Sequence, residues 1–170
     1  MITASQPSGN PIQHMEETKT KIPAVIVDLD GTICETEHRV QKFMRGKKKD
    51  WKGFYEAMDL DEPRHDVVKR VEEFMEMGFT ILLVSGRPEE YRARTQKWFA
   101  DKGLGFETLP LFMRKTGDFR PDTIIKKEIL DEHIRDKYEI NCAIDDRPSV
   151  IRMWGENGIS VIDVGLGEEF

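Results

Sequence analysis

Three polar clusters each follow a short apolar run: Asp28-x-Asp30 after Ala24-Val25-Ile26-Val27, Ser85-Gly86-Arg87 after Phe79 to Val84, and Asp145-Asp146-Arg147 after Ile140 to Ile144. Carboxylates gathered at one place repel one another and hold their protons unless a cation neutralises them. A hard divalent ion with oxygen ligands suits such a group, and magnesium suits one that also holds waters and a phosphate. Residues two apart on a strand share a face, so Asp28 and Asp30 can address one substrate, although a turn at Gly31 redirects the second. One can attack while the other moves a proton. Each cluster also has a plainer structural use. Asp30-Gly31 fits a turn, Asp145-Asp146 ahead of Pro148 fits a helix N-cap, Ser85 ahead of Pro88 fits a cap or hydroxyl turn, and Lys126 fits a solvated helix face. Capping alone does not call for an Asp pair, a hydroxyl, a helical lysine and a second Asp pair in this order.

The elements that must position these residues alternate. Ala24–Val27 reads as a buried parallel strand. Residues 35–62 turn polar, with Arg45-Gly-Lys-Lys-Lys-Asp50 ahead of Trp51, Phe54 and Tyr55, and predict a small cap with helical pieces. Pro63 opens a helix that carries Val67, Val68, Val71, Phe74 and Met75 and closes at Gly78. Phe79–Val84 predicts a strand, Ser85–Arg87 a turn, and Pro88 to about Lys102 a helix. Phe106–Met113 is a weaker strand because Pro110 interrupts it. A helix over Asp122 to about Tyr138, a strand Ile140–Ile144, a helix Ser149–Asn157 and a strand Ile159–Val164 complete the pattern. The fold class expected is therefore α/β and doubly wound, with about five parallel strands, helices on both faces and ligands bound beyond the strands' carboxyl ends.

Length and composition fit one domain over residues 21–170 behind a flexible tail, residues 1–20, rich in Ser, Pro, Gly, Gln and Thr. The two cysteines, Cys34 and Cys142, show no CxxC spacing, which argues against zinc or a disulfide framework. No apolar run reaches the roughly 18–20 residues that span a bilayer, and the start lacks signal-peptide order. A cytoplasmic protein is expected. The formal net charge of −6 disfavours broad nucleic-acid coating but leaves room for a local basic groove.

Taken together, Asp28-Leu-Asp-Gly-Thr32, Ser85, Lys126 and Asp145-Asp146 resemble the ordered motifs of the haloacid dehalogenase superfamily of phosphohydrolases. The resemblance implies that Asp28 attacks phosphorus to give an aspartyl phosphate, and that Asp30 protonates the leaving oxygen and then activates water. Ser85, Gly86, Arg87 and Lys126 would hold the phosphoryl group. Magnesium would bind Asp28, the Asp30 carbonyl, and Asp145 or Asp146. A narrower set, Val84-Ser-Gly-Arg87, Thr95-Gln-Lys-Trp98, Gly117-Asp-x-Arg120, Asp122-x-Ile-Ile-Lys-x-Glu128 and Ala143-Ile-Asp-Asp-Arg147 with Met153-Trp154, is similar to the phosphatase half of bacteriophage polynucleotide kinase/3′-phosphatases. That likeness adds Arg39, Arg87 and Asp122 to the site, with Arg114 and Arg120 in support. The sequence contains no GxxxxGK[ST] loop, so kinase chemistry is not expected of it.

The activity expected is removal of 3′-phosphates from DNA or RNA ends, with a separately acting kinase or ligase as a partner. The alternatives are a nucleotidase or other small-metabolite phosphatase, and a catalytically silent phosphate- or partner-binding domain, against which the intact acid and lysine set argues. The lysine run and aromatics of residues 47–55 fit either a strand-receiving surface or a solvated loop followed by a helix that buries its rings.

Overall fold

The computed structural model describes residues 20–169; the predicted tail falls almost wholly outside them. Five parallel strands, β1 (Ile22–Val27), β2 (Thr80–Pro88), β3 (Leu111–Arg114), β4 (Tyr138–Asp145) and β5 (Val161–Asp163), lie in the order β3-β2-β1-β4-β5. The sheet is buried on both faces because its central strands carry continuous apolar runs, Ala24–Val27, Ile81–Val84 and Cys142–Ile144. Val25 and Val27 pack with Ile81 and Leu83 under α3 (His65–Glu76) and α4 (Arg92–Asp101), joined by Val67, Val71, Trp98 and Phe99. Ala24 and Ile26 pack with Leu82 and Val84 on the opposite face, under α5 (Asp122–Ile129) and α6 (Pro148–Glu156), joined by Ile125, Ile129, Val150 and Trp154. Burying a branched aliphatic side chain stabilises by roughly 1.5–3 kcal/mol, so a sheet enclosed on both sides fixes its own register.

That register aligns the polar clusters. Val27 pairs with Leu83 on one side and Ile144 on the other, so Asp28, Ser85 and Asp145 reach the same rim on neighbouring strands. The chain leaves β1 toward β2 and later returns to its other side as β4, which opens a crevice beyond the strand ends.

Between β1 and α3 the chain forms α1 (Glu37–Arg39), a π turn at Val40–Met44, α2 (Trp51–Glu56) and a 3₁₀ turn at Met58–Leu60. Asp50 caps α2 by accepting from the Gly53 N–H at 2.9 Å, and Val40, Met44 and Phe54 close a small apolar cluster beneath it. Several boundaries differ from the sequence expectation: the helix expected from Pro63 starts at His65, that expected from Pro88 starts at Arg92, that expected over Ser149–Asn157 spans Pro148–Glu156, and the last strand is only Val161–Asp163. β2 runs through Ser85-Gly86-Arg87 to Pro88, because Arg114 pairs with Pro88 after a register shift. β3 begins only at Leu111, past the proline that cannot donate to the ladder. The helix from Asp122 turns into a π turn at Leu130–Ile134, where the Arg135 N–H reaches Leu130 O, and Tyr138 already belongs to β4.

Candidate active site

Asp28 stands at the end of β1, one residue beyond the fully buried Val27, and is itself 5 % exposed. Its Oδ1 accepts from Lys126 Nζ at 2.7 Å, and its Oδ2 accepts from the Thr32 hydroxyl at 3.1 Å. Lys126 reaches the strand ends from the inner face of α5, where it is almost wholly buried, and also donates to Asp145 Oδ2 at 2.9 Å. Burial works against its charge, yet Asp145 and Asp28 hold the ammonium above its ordinary range. Burial pushes the Asp28 carboxyl up; Lys126 opposes that rise, and repulsion from Asp145 and Asp146 adds to it. Burial and the neighbouring Asp145 likewise raise Asp146 to about 6.

The two adjacent acids have different surroundings. Asp145 Oδ1 accepts from the Asp146 and Arg147 N–H groups at 3.0 and 3.3 Å, and its Oδ2 from Lys126 and from Trp154 Nε1 at 3.1 Å. A carboxylate has about four acceptor positions, and these donors fill them. Asp146 Oδ1 accepts from the Thr32 hydroxyl at 3.1 Å, and Gly31, at φ +85°, makes room for this carboxylate: a Cβ there would lie 2.1 Å from its Oδ2. One ligand atom from each of Asp28, Asp145 and Asp146 fits within a 4.8 Å group. Three carboxylates against one ammonium leave an excess of buried negative charge. The donor set is all oxygen, and a hard divalent cation fits it.

Asp30 is held differently. Arg87 Nη2 and Nε donate to its carboxylate at 2.5 and 3.0 Å, and Arg39 Nη2 donates to Oδ1 at 2.7 Å. Burial opposes its ionisation, but the Arg87 and Arg39 guanidiniums overcome that and hold the carboxyl well below the usual range. Both arginines are fully buried. They lie behind Asp30, outside the lining of the cleft, which is formed by Asp28, Asp30, Lys126, Asp146 and Arg147 with the rings of α2. Ser85 is also fully buried, and its Oγ accepts from the Arg87 N–H at 3.1 Å.

Arg114 lies a layer further out. It donates to the carbonyls of Gly86 (2.7 Å), Asp118 (2.9 Å) and Arg120 (2.5 Å), and it pairs with Asp122 Oδ1. Asp122 Oδ2 accepts from Arg147 Nη1 at 2.7 Å. Gly86 permits this packing, since a Cβ there would fall 2.6 Å from Asp122 Oδ1. Arg120 is half exposed and bonds Asp118 and Glu128. Sequence reasoning did not single out Asp61, which is fully buried and takes Arg39 Nε at 2.7 Å and Nη2 at 2.5 Å, with His38 Nε2 at 2.8 Å. Its neighbours, Asp59-Leu60-Asp61-Glu62, read as a solvated turn, so no local signal marks it. Arg147 was visible only as the tail of the Asp145-Asp146 cluster.

A doubly wound parallel sheet carrying this acid and lysine set at its β1/β4 rim defines a haloacid dehalogenase-type phosphatase. The chain belongs to the family described as the polynucleotide kinase PNKP phosphatase domain, whose model matches residues 22–169. It is 29 % identical over 155 residues to a protein of Autographa californica nuclear polyhedrosis virus described as a bifunctional polynucleotide kinase/RNA ligase, covering 90 % of this chain and 21 % of that one. Among solved structures, a chain of a Pnkp1/Rnl/Hen1 complex matches at 31 % identity and a TM-score of 0.73, over 89 % of this chain and 48 % of the other. The class C acid phosphatase of Bacillus anthracis shares the fold at 17 % identity and a TM-score of 0.58, over 87 % and 68 % of the two chains. The chain thus spans about a fifth of the viral relative and about half of the matched chain of the complex. No helix among the described residues is long and apolar enough to cross a membrane.

Proposed function

We propose that this phosphatase domain, residues 21–170, removes 3′-phosphates from polynucleotide ends, with Asp28 as the nucleophile, magnesium as the cofactor and segment 35–62 as a cap over the site. The observation that carries the reading is Lys126, whose ammonium, reaching in from α5, joins Asp28 and Asp145 across the ends of β1 and β4 at 2.7 and 2.9 Å. A buried lysine held between two acids opposes the rise that burial imposes on the Asp28 carboxyl, and its positive charge matches an arriving phosphate. Family membership supports phosphatase chemistry for the domain.

Asp28 and Asp146 would hold magnesium through their side chains, with the Asp30 carbonyl. Asp145, its acceptor positions filled, orients Lys126 instead. When bound, the metal supplies positive charge that lets a carboxylate and a phosphate approach each other. An Asp28 oxygen then forms a bond to phosphorus while the bond from phosphorus to the sugar 3′-oxygen breaks, and Asp30 gives that oxygen its proton. Water next attacks the aspartyl phosphate, Asp30 takes up a proton, and inorganic phosphate leaves. Arg87 and Arg39 hold Asp30 ionised at rest; the negative charge of the arriving phosphoryl group offsets part of theirs, so that Asp30 can take up the proton it then gives to the leaving oxygen. Lys126, the Gly86 backbone and Arg147 face the same group, with Asp122 and Arg114 holding Arg147 and Gly86 in place.

RNA ends are the favoured substrate, because the related chains belong to a polynucleotide kinase/RNA ligase and to an RNA repair complex. A kinase and a ligase acting before or after this step would then be the partners. The test offers purified protein 3′-phosphorylated RNA and DNA oligonucleotides, 5′-phosphorylated ones and free mononucleotides, each with magnesium or with chelator. Magnesium-dependent preference for 3′-phosphorylated ends, abolished by Asp28→Asn, is the expected result. Preference for mononucleotides would replace this reading with a nucleotidase.

A further inference from the structure

The cap helix α2 places three aromatic rings beside the acids, and they are not equally enclosed. Phe54 is buried, Tyr55 is half-buried, and Trp51 is 41 % exposed although it lines the same cleft as Asp28. The indole is held in position. It lies offset-stacked against Tyr55, with centroids 6.0 Å apart and planes at 26°, and meets Phe54 edge-on at 5.9 Å. Tyr55 leans in turn on Tyr91 at 5.4 Å, and its hydroxyl donates to Gly86 O at 3.4 Å, on the strand that carries Ser85. The exposed ring is therefore tied to the catalytic rim through two contacts and has little rotamer freedom left to lose when a ligand arrives.

A phosphate has no use for an indole. A ring at the mouth of a phosphate site addresses the group that the phosphate is attached to. Charge around it points to the same ligand: Arg45, Lys47, Lys48, Lys49 and Lys52 cluster immediately before and within α2 in a chain of net charge −6, and Lys49 Nζ lies 5.9 Å from the indole centroid. Aromatic faces flanked by lysines are how proteins hold single-stranded nucleic acid, the ring taking a base and the ammonium groups taking the backbone.

We infer that Trp51 is the stacking platform for the base of the nucleotide that bears the 3′-phosphate, with Lys47–Lys49 following the phosphates of the nucleotides before it. The inference rests on the polynucleotide reading above and adds where the terminal base sits. It makes Trp51 a specificity residue that distinguishes a base-bearing end from a bare phosphate ester.

Trp98 and Trp154 are 3 % and 0 % exposed, so of the three tryptophans Trp51 is the one a collisional quencher reaches. The binding test uses Asp28→Asn protein with magnesium and compares acrylamide quenching in the presence of 3′-phosphorylated dithymidylate and of the same sugar-phosphate chain with an abasic 3′ end. The base-bearing ligand is expected to lower the quenching constant severalfold and the abasic one to leave it near its free value; equal protection, or none, overturns the platform. In the kinetic test, Trp51→Ala should lower the ratio of kcat/KM for base-bearing over abasic 3′-phosphate ends about tenfold, chiefly through KM, and Trp51→Phe should recover most of it. An unchanged ratio sinks the platform while the polynucleotide reading stands. A parent enzyme that does not prefer 3′-phosphorylated oligonucleotide to para-nitrophenyl phosphate sinks both.

Discussion

At the scale of single residues, the arrangement around Asp30 depends on an acid that belongs to no sequence motif. Asp61 takes both forks of the Arg39 guanidinium, and Arg39 in turn grips Asp30. Removing one partner of a buried pair leaves the other charge uncompensated, which costs roughly 3–5 kcal/mol. Asp61→Ala should therefore lose about 3 kcal/mol in urea unfolding and also lower turnover as Arg39 is re-aimed. Replacing both members together, Arg39→Met with Asp61→Leu, should recover stability but not activity. The acids and lysine of the main site were legible because each follows an apolar run or sits on a recognisable helix. Asp61 was not, since its role depends on Arg39, 22 positions away, folding back across it. The cradle of Arg39 and Arg87 behind Asp30 was likewise beyond reach: type and order announce a phosphate-binding arginine, whereas only packing reveals which anion it holds at rest.

At the scale of elements, strand ends and the tight turns after them do most of the positioning. Gly31 follows the strand that ends at Asp28, has φ +85° and faces the Asp146 carboxylate. Gly31→Ala must adopt a left-handed backbone, at about 1–2 kcal/mol, and displace Asp146. A lower thermal midpoint together with a kcat reduced by at least tenfold is expected, and kcat matching the parent's would show that Asp146 is not needed where it stands. The loop from β3 to α5 is pinned by Arg120 on Asp118 and Glu128. Arg120 draws the Asp118 carboxyl down to about 2, from an ordinary 3.8. A carboxyl lowered in the folded state stabilises above its unfolded value, and that contribution fades as pH falls through the folded one. A carboxyl NMR titration should find Asp118 near 2 in the parent and back toward 3.8 in Arg120→Ala. The alternation of strands and helices was clear from periodicity, and Pro110 already marked the weak start of β3, while the extension of β2 to Pro88 was not legible because it depends on a register shift against Arg114 of the neighbouring strand.

For the whole molecule, two apolar layers on one sheet hold a cluster of like charges at its rim, and the stability of the one limits the other. A ligand that binds only the folded state raises its stability by mass action. Magnesium at millimolar concentration should raise the thermal midpoint by several degrees, chelator should reverse this, and Asp28→Asn should shrink the magnesium shift. Differential scanning calorimetry provides the measurement, and a midpoint indifferent to the metal would count against the acid cluster as its site. The doubly wound architecture could be read from the order of apolar runs, since a sheet buried on both faces writes itself as continuous hydrophobic strands.

The burial of Arg39 and Asp61, both fully enclosed, has a consequence for how the protein responds to ionic strength. Dissolved ions screen exposed charges over about 8–10 Å but reach enclosed pairs poorly. Added electrolyte should therefore loosen what the lysines beside α2 attract while leaving the brace between the cap and Asp30 intact. A titration with potassium chloride would separate recognition from catalytic architecture within one unmodified chain.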